Sequence, residues 1–110
     1  MEGQKQRRAA ANEATIRDVN EGIERGQWPG EEDKPVGFRC ECARLGCNQL
    51  VELTVREYEE IRANPRHFVL VPGHELPEVE TVVERKTSGY IIVEKLDQAG
   101  EVAEHSDPRA

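Results

Sequence analysis

The chain has 110 residues, with 15 Lys and Arg against 22 Asp and Glu, a formal net charge of −7, and 36% hydrophobic residues. That length fits one domain with some tail rather than two. With no segment net basic, the balance argues against a duplex or membrane-surface partner, both of which need a cationic face.

The longest apolar run, Tyr90-Ile91-Ile92-Val93, is strand-sized and far too short to span a bilayer. Lys5, Arg7 and Arg8 are followed by no apolar segment, so the start does not read as a signal peptide. A cytoplasmic protein without a membrane partner is the expectation.

Residues 1–27 read as an N-terminal helical segment, with the helix over about 8–27: Ala9, Ala10 and Ala11 favour helix, and the first proline is Pro29. Ile16, Val19 and Ile23 recur at i, i+3 and i+7, a stripe too narrow for a broad buried face. Asn20 and Gly22 weaken the helix locally. This stripe and the amphipathic Trp28 are the candidate contact surface, through which the chain would meet a protein partner or a second copy of itself. Residues 28–35, with two prolines and several charges, read as a linker.

From residue 36 the pattern changes to short strands. Gly37 to Cys42 alternates, placing Phe38, Cys40 and Cys42 on one face and Arg39 and Glu41 on the other. A turn over Ala43-Arg44-Leu45-Gly46 leads to Cys47 and a returning strand at 49–53. Thr54-Val55-Arg56-Glu57 is a capping box opening a short helix that ends at Asn64-Pro65. Val55, Tyr58 and Ile61 form its apolar side, with Glu57, Glu59, Glu60 and Arg62 toward water. Strands follow at 68–71, 79–85 and 90–95, the last two as a hairpin around Thr87-Ser88-Gly89. Residues 97–110 are acidic and aperiodic and read as a disordered tail. The fold class is therefore α+β: an N-terminal helix followed by a small antiparallel-sheet domain, 36–96, with one short helix.

All three cysteines fall in Cys40-Glu41-Cys42-Ala43-Arg44-Leu45-Gly46-Cys47, spaced C-x-C-x4-C. In a reducing compartment an odd, clustered set points to a metal site rather than to disulfides. Structural zinc takes four Cys or His ligands in a tetrahedron, so three thiolates ask for one histidine. His74, in the rigid Pro72-Gly73-His74 turn, is preferred; His67 is the alternative, and His105 lies in the tail. A domain of this size buries only about 60% of its unfolded surface, and a structural metal is a common remedy. The chain is expected to be zinc-stapled.

The catalytic zinc patterns H-x-E with P-C-x-x-C and H-E-x-x-H are not met, since His74 is followed by Glu75 and position 78 is Glu. Strand alternation turns Glu41 away from the metal. The expectation is a non-enzymatic binding or regulatory module. The alternatives are a thiol redox sensor, or a zinc-ribbon-like nucleic-acid accessory factor resting on Arg39, Arg44 and Arg66.

The strings N-E-A-x-x-R-x-x-N-E-x-I (from Asn12-Glu13-Ala14 through Ile23) and F-x-C-E-C-x4-C…P-G-H-E…V-E-K (from Phe38 through Lys95) resemble a family of small bacterial proteins. These pair such a helix with a cysteine-bearing, zinc-binding domain. The resemblance implies that helix and domain form one unit, and brings no activity with it.

Overall fold

The computed structural model describes residues 2–44 and 46–109, residues 2–10 as backbone only; Met1, Leu45 and Ala110, which fall in the expected helix, cysteine turn and tail, lie outside them. Its architecture is α+β, with the N-terminal helix α1 (Glu2–Arg25) leading into two antiparallel sheets and two shorter helices.

Local sequence rules account for most elements. Strand β1 (Pro35–Arg39) pairs with β2 (Leu50–Thr54), setting Phe38 opposite Val51 and Val36 opposite Leu53, so the apolar side of each strand meets the core. Helix α2 (Val55–Arg62) starts on the expected capping box: Glu57 N–H donates to Thr54 Oγ1 at 3.1 Å and Thr54 N–H to the Glu57 carboxylate at 2.9 Å. Strands β3 (His67–Leu70), β4 (Glu80–Arg85) and β5 (Ile91–Lys95) form the second sheet in the order β3-β5-β4. Its central strand, β5, is buried along most of its length. A bulge between Val82 and Glu84 leaves Val83 at the surface.

Two small apolar clusters form the core. One gathers Phe38, Val51, Leu53, Tyr58, Ile61, Val69 and their neighbours, with the Phe38 and Tyr58 rings stacked 4.5 Å apart. The other joins Phe68, Leu70, Ile91 and Val93 to Cys40 and Cys42.

The expectation of a disordered tail is corrected. Asp97–His105 forms helix α3, with Gly100 and Ala103 buried. The glycine is the physical reason: a Cβ at position 100 would run into the Arg66 guanidinium, which crosses the helix there and pairs with Glu104 at 2.7 Å. A contact through small residues leaves no apolar stripe to read. The expected linker also folds back, since Glu32 O accepts from Arg56 N–H and Asp33 pairs with Arg56 at 2.7 Å.

The face that α1 turns to the domain is largely polar. Glu13, Arg17, Asn20 and Glu21 are buried beside Ile16, at i, i+4, i+7 and i+8. Arg17 donates to Pro65 O at 2.8 Å and to Ala103 O at 2.7 Å, with its guanidinium 4.4 Å above the Phe68 ring. Lys95 is held between Glu13 and Glu80. Arg62, expected to face water, is 3% exposed and pairs with Glu21 and Asp107. A narrow apolar stripe suffices because paired charges complete the contact.

Candidate metal centre

The ligand atoms of Cys40, Cys42, Cys47 and His74 all lie within 4.8 Å of one another, a grouping that could hold a metal ion. His74 Nδ1 stands 3.6 Å from Cys40 Sγ and 3.7 Å from Cys47 Sγ. Cys40 and Cys42 are buried, while Cys47 and His74 are half-buried at the edge of an open cleft of about 280 Å³ lined also by Arg44, Asn48 and Gln49.

Each ligand is presented by backbone that its neighbours dictate. Cys40 and Cys42 sit just beyond β1, where Cys40 N–H still bonds Gln49 O at 2.9 Å and Glu41 N–H bonds Val69 O at 2.8 Å. These bonds lash the cysteine segment to the residue before β2 and to β3. Cys47 closes a four-residue turn, its N–H on Arg44 O at 3.2 Å, with Gly46 at φ 80°. His74 closes another: its N–H bonds Val71 O at 3.1 Å, Pro72 leads and Gly73 takes φ 93°. Proline then positive-φ glycine is the sequence of a type II turn. Arg44 donates to Gly73 O at 3.0 Å and so ties the two turns together.

Backbone donors are aimed at the sulfurs. Val71 N–H points at Cys40 Sγ at 3.2 Å, and the backbone N–H groups of Arg44 and Gln49 serve Cys42 and Cys47. Such donors favour thiolate over thiol. Burial works the other way. It pushes the Cys40 thiol up to about 12 and raises Cys42 as well. At Cys47 burial is outweighed by the Gln49 N–H, the neighbouring sulfurs and Arg39, and the thiol is lowered. Buried thiols so disposed ionise at neutral pH when a cation lies against them, which is the chemistry of a metal-thiolate site.

His67 stays outside the cluster. Its Nε2 lies 3.0 Å from Glu94 and 3.2 Å from Asn64. Of the candidate contact residues, Ile16 is buried and Ile23 packs against the first core cluster, whereas Val19 is 41% and Trp28 77% exposed.

Sequence reasoning missed the group behind the ligands. Glu41 turns into the interior, where it is fully buried. Its Oε2 accepts from Asn20 Nδ2 at 2.9 Å and from Tyr58 OH at 2.8 Å; its Oε1 accepts from Val69 N–H at 3.1 Å. Burial raises its carboxyl against those donors. The one available signal was an acidic residue between two cysteines, on a strand face that α1 had to cover.

Comparison with protein families, with curated proteins and with solved structures returns no match to this chain. Among the described residues, no helix is long and apolar enough to cross a membrane.

Proposed function

We propose that this chain is a zinc-stabilised, non-enzymatic binding module, with Cys40, Cys42, Cys47 and His74 as the four zinc ligands. One observation carries the reading. With Zn–S about 2.3 Å and Zn–N about 2.05 Å, sulfur and nitrogen at the corners of a tetrahedron stand about 3.6 Å apart. The separations of 3.6 and 3.7 Å from His74 Nδ1 to two of the sulfurs match that edge.

A structural role is supported by the ligand count, since four protein ligands fill a tetrahedron and leave no position for a reacting water. Glu41, the nearest buried carboxylate in sequence, is engaged on the far side of the strand. In a chain with two small core clusters, zinc would supply apparent folding energy on the order of 10 kcal/mol. Partner binding then falls to surface that is still exposed, of which Trp28 and Val19 are the apolar part next to α1.

The test is elemental analysis of purified protein with circular dichroism before and after chelation. About one equivalent of zinc and loss of the fold on chelation are expected. Less than half an equivalent, with the fold intact after chelation, would sink the reading.

A second reading, a thiol switch, is favoured by the half-burial of Cys47 and His74 at the open cleft. Peroxide would take two electrons from two of the thiolates and two protons from solvent, giving one disulfide and two waters and releasing zinc. Zinc release by mild peroxide, reversed by a thiol reductant, distinguishes it.

A further inference from the structure

The cysteine strand has two sides, and α1 is built onto the one opposite the ligands. Asn20 is fully buried on that side. Its Oδ1 accepts from Arg39 N–H at 2.7 Å, and its Nδ2 donates to Arg39 O at 2.9 Å. The side-chain amide thus pairs with both backbone groups of the residue before Cys40, as a neighbouring strand would. The same Nδ2 reaches Glu41 Oε2 at 2.9 Å, and Glu41 lies between two ligands. Arg39 in turn donates from its guanidinium to Cys47 O at 3.3 Å. One residue of the helix therefore sets the backbone on which three sulfurs depend. The hydrogen bonds of two other buried α1 residues go elsewhere: those of Arg17 to Pro65 and Ala103, and that of Glu13 to Lys95.

We propose that Asn20 and Glu41 are positioning residues of the metal centre, and that through them the docking of α1 and the binding of the metal are one coupled equilibrium. The inference rests on the metal reading given above and goes beyond it, because it makes a helix outside the cysteine domain part of the site. Groups that orient metal ligands without touching the metal typically change affinity 10–100-fold when removed. The coupling is reciprocal: if α1 tightens the metal, the metal tightens α1 by the same factor. Loss of the metal then loosens α1 and uncovers Ile16 and Ile23.

The experiment measures zinc affinity of the full chain by competition with a chromophoric chelator, with folding checked by circular dichroism at saturating zinc. Asn20→Ala is expected to weaken zinc about 10-fold, whereas Arg17→Gln, equally buried but hydrogen-bonded to Pro65 and Ala103, stays within about twofold of wild type. Asn20→Asp is the second variant, and sets a carboxylate against Glu41. Adding Glu41→Gln to it is expected to recover only part of the affinity, because the amide nitrogen so introduced donates to the carboxylate at position 20 while Arg39 O stays without its donor. Hydrogen exchange at saturating zinc is expected to speed at least 10-fold in residues 12–25 of Asn20→Ala relative to wild type.

Equal weakening by Asn20→Ala and Arg17→Gln, or no effect of either, would overturn the inference and leave the metal reading standing. So would a double variant that binds zinc no better than Asn20→Asp alone, or α1 exchange that Asn20→Ala leaves unchanged at saturating zinc. Wild-type protein that takes up no zinc would overturn the metal reading itself, and this inference with it.

Discussion

Cys47 and His74, 27 positions apart, each end a hydrogen-bonded four-residue turn in which a glycine takes positive φ just before the ligand. The two turns bring Sγ and Nδ1 to 3.7 Å, and Arg44 bridges them by bonding Gly73 O. Backbone geometry, not nearness in sequence to the sheet, is therefore what brings His74 rather than His67 to the three cysteines. His74→Ala should lower zinc affinity at least 10-fold, while His67→Ala, whose ring is paired with Glu94, leaves it unchanged. Equal effects of the two substitutions in chelator competition would contradict the assignment.

Gly73 is the hinge of that presentation. At φ 93° an L side chain is strained even though a Cβ there would meet open space. Gly73→Ala should cost about 1–2 kcal/mol of folding stability from the backbone alone. Urea denaturation of the zinc-loaded protein measures it, and a change under about 0.3 kcal/mol would show that the turn is not held in this conformation.

Lys95 is 2% exposed and is the shared cation of Glu13 and Glu80. Removing it leaves two buried carboxylates without a partner, and Glu13 is already raised by burial against the pull of Lys95. Lys95→Met is expected to destabilise by about 3–5 kcal/mol, the usual cost of stranding buried charge. Replacing all three, as Glu13→Gln, Lys95→Met and Glu80→Gln, should cost less than the single change. The opposite order in urea denaturation would contradict the pairing.

Glu24 sets a pH dependence. Burial, with Glu59 close by, raises its carboxyl from 4.5 to about 8, while Arg109 stands against both and Glu59 is held down at about 2. The folded protein thus keeps a proton on Glu24 that the unfolded chain releases above about 4.5. Its contribution is fully present below 4.5, is lost as pH rises toward about 8, and changes no further above that. Glu24→Gln keeps the neutral form. The difference in Tm between variant and wild type, zinc-saturated, should widen from pH 6 to pH 8 and then level off. A difference independent of pH would contradict the shared proton.

The grouping of Cys40, Cys42, Cys47 and His74 was legible because its signals are local and chemical: three cysteines in eight positions, and a histidine in a proline-glycine turn. The capping box at Thr54 and Glu57 was legible for the same reason. Buried polar residues were not. Asn20 reads as a weak helix former, yet its amide substitutes for a strand edge at Arg39. Arg62 reads as solvated charge, and the partners of Arg17, Arg62 and Lys95 lie tens of positions away in a sequence that carries no record of the pairing. Helix α3 was hidden by its own packing, because glycine and alanine at Gly100 and Ala103 make a close contact without an apolar stripe.

X-ray absorption at the zinc edge of the purified protein tests the central claim most directly. Three sulfurs at about 2.3 Å and one imidazole nitrogen at about 2.0 Å are predicted. A shell of oxygen and nitrogen alone, or fewer than three sulfurs per zinc, would contradict the assignment of Cys40, Cys42, Cys47 and His74 as the metal's four ligands.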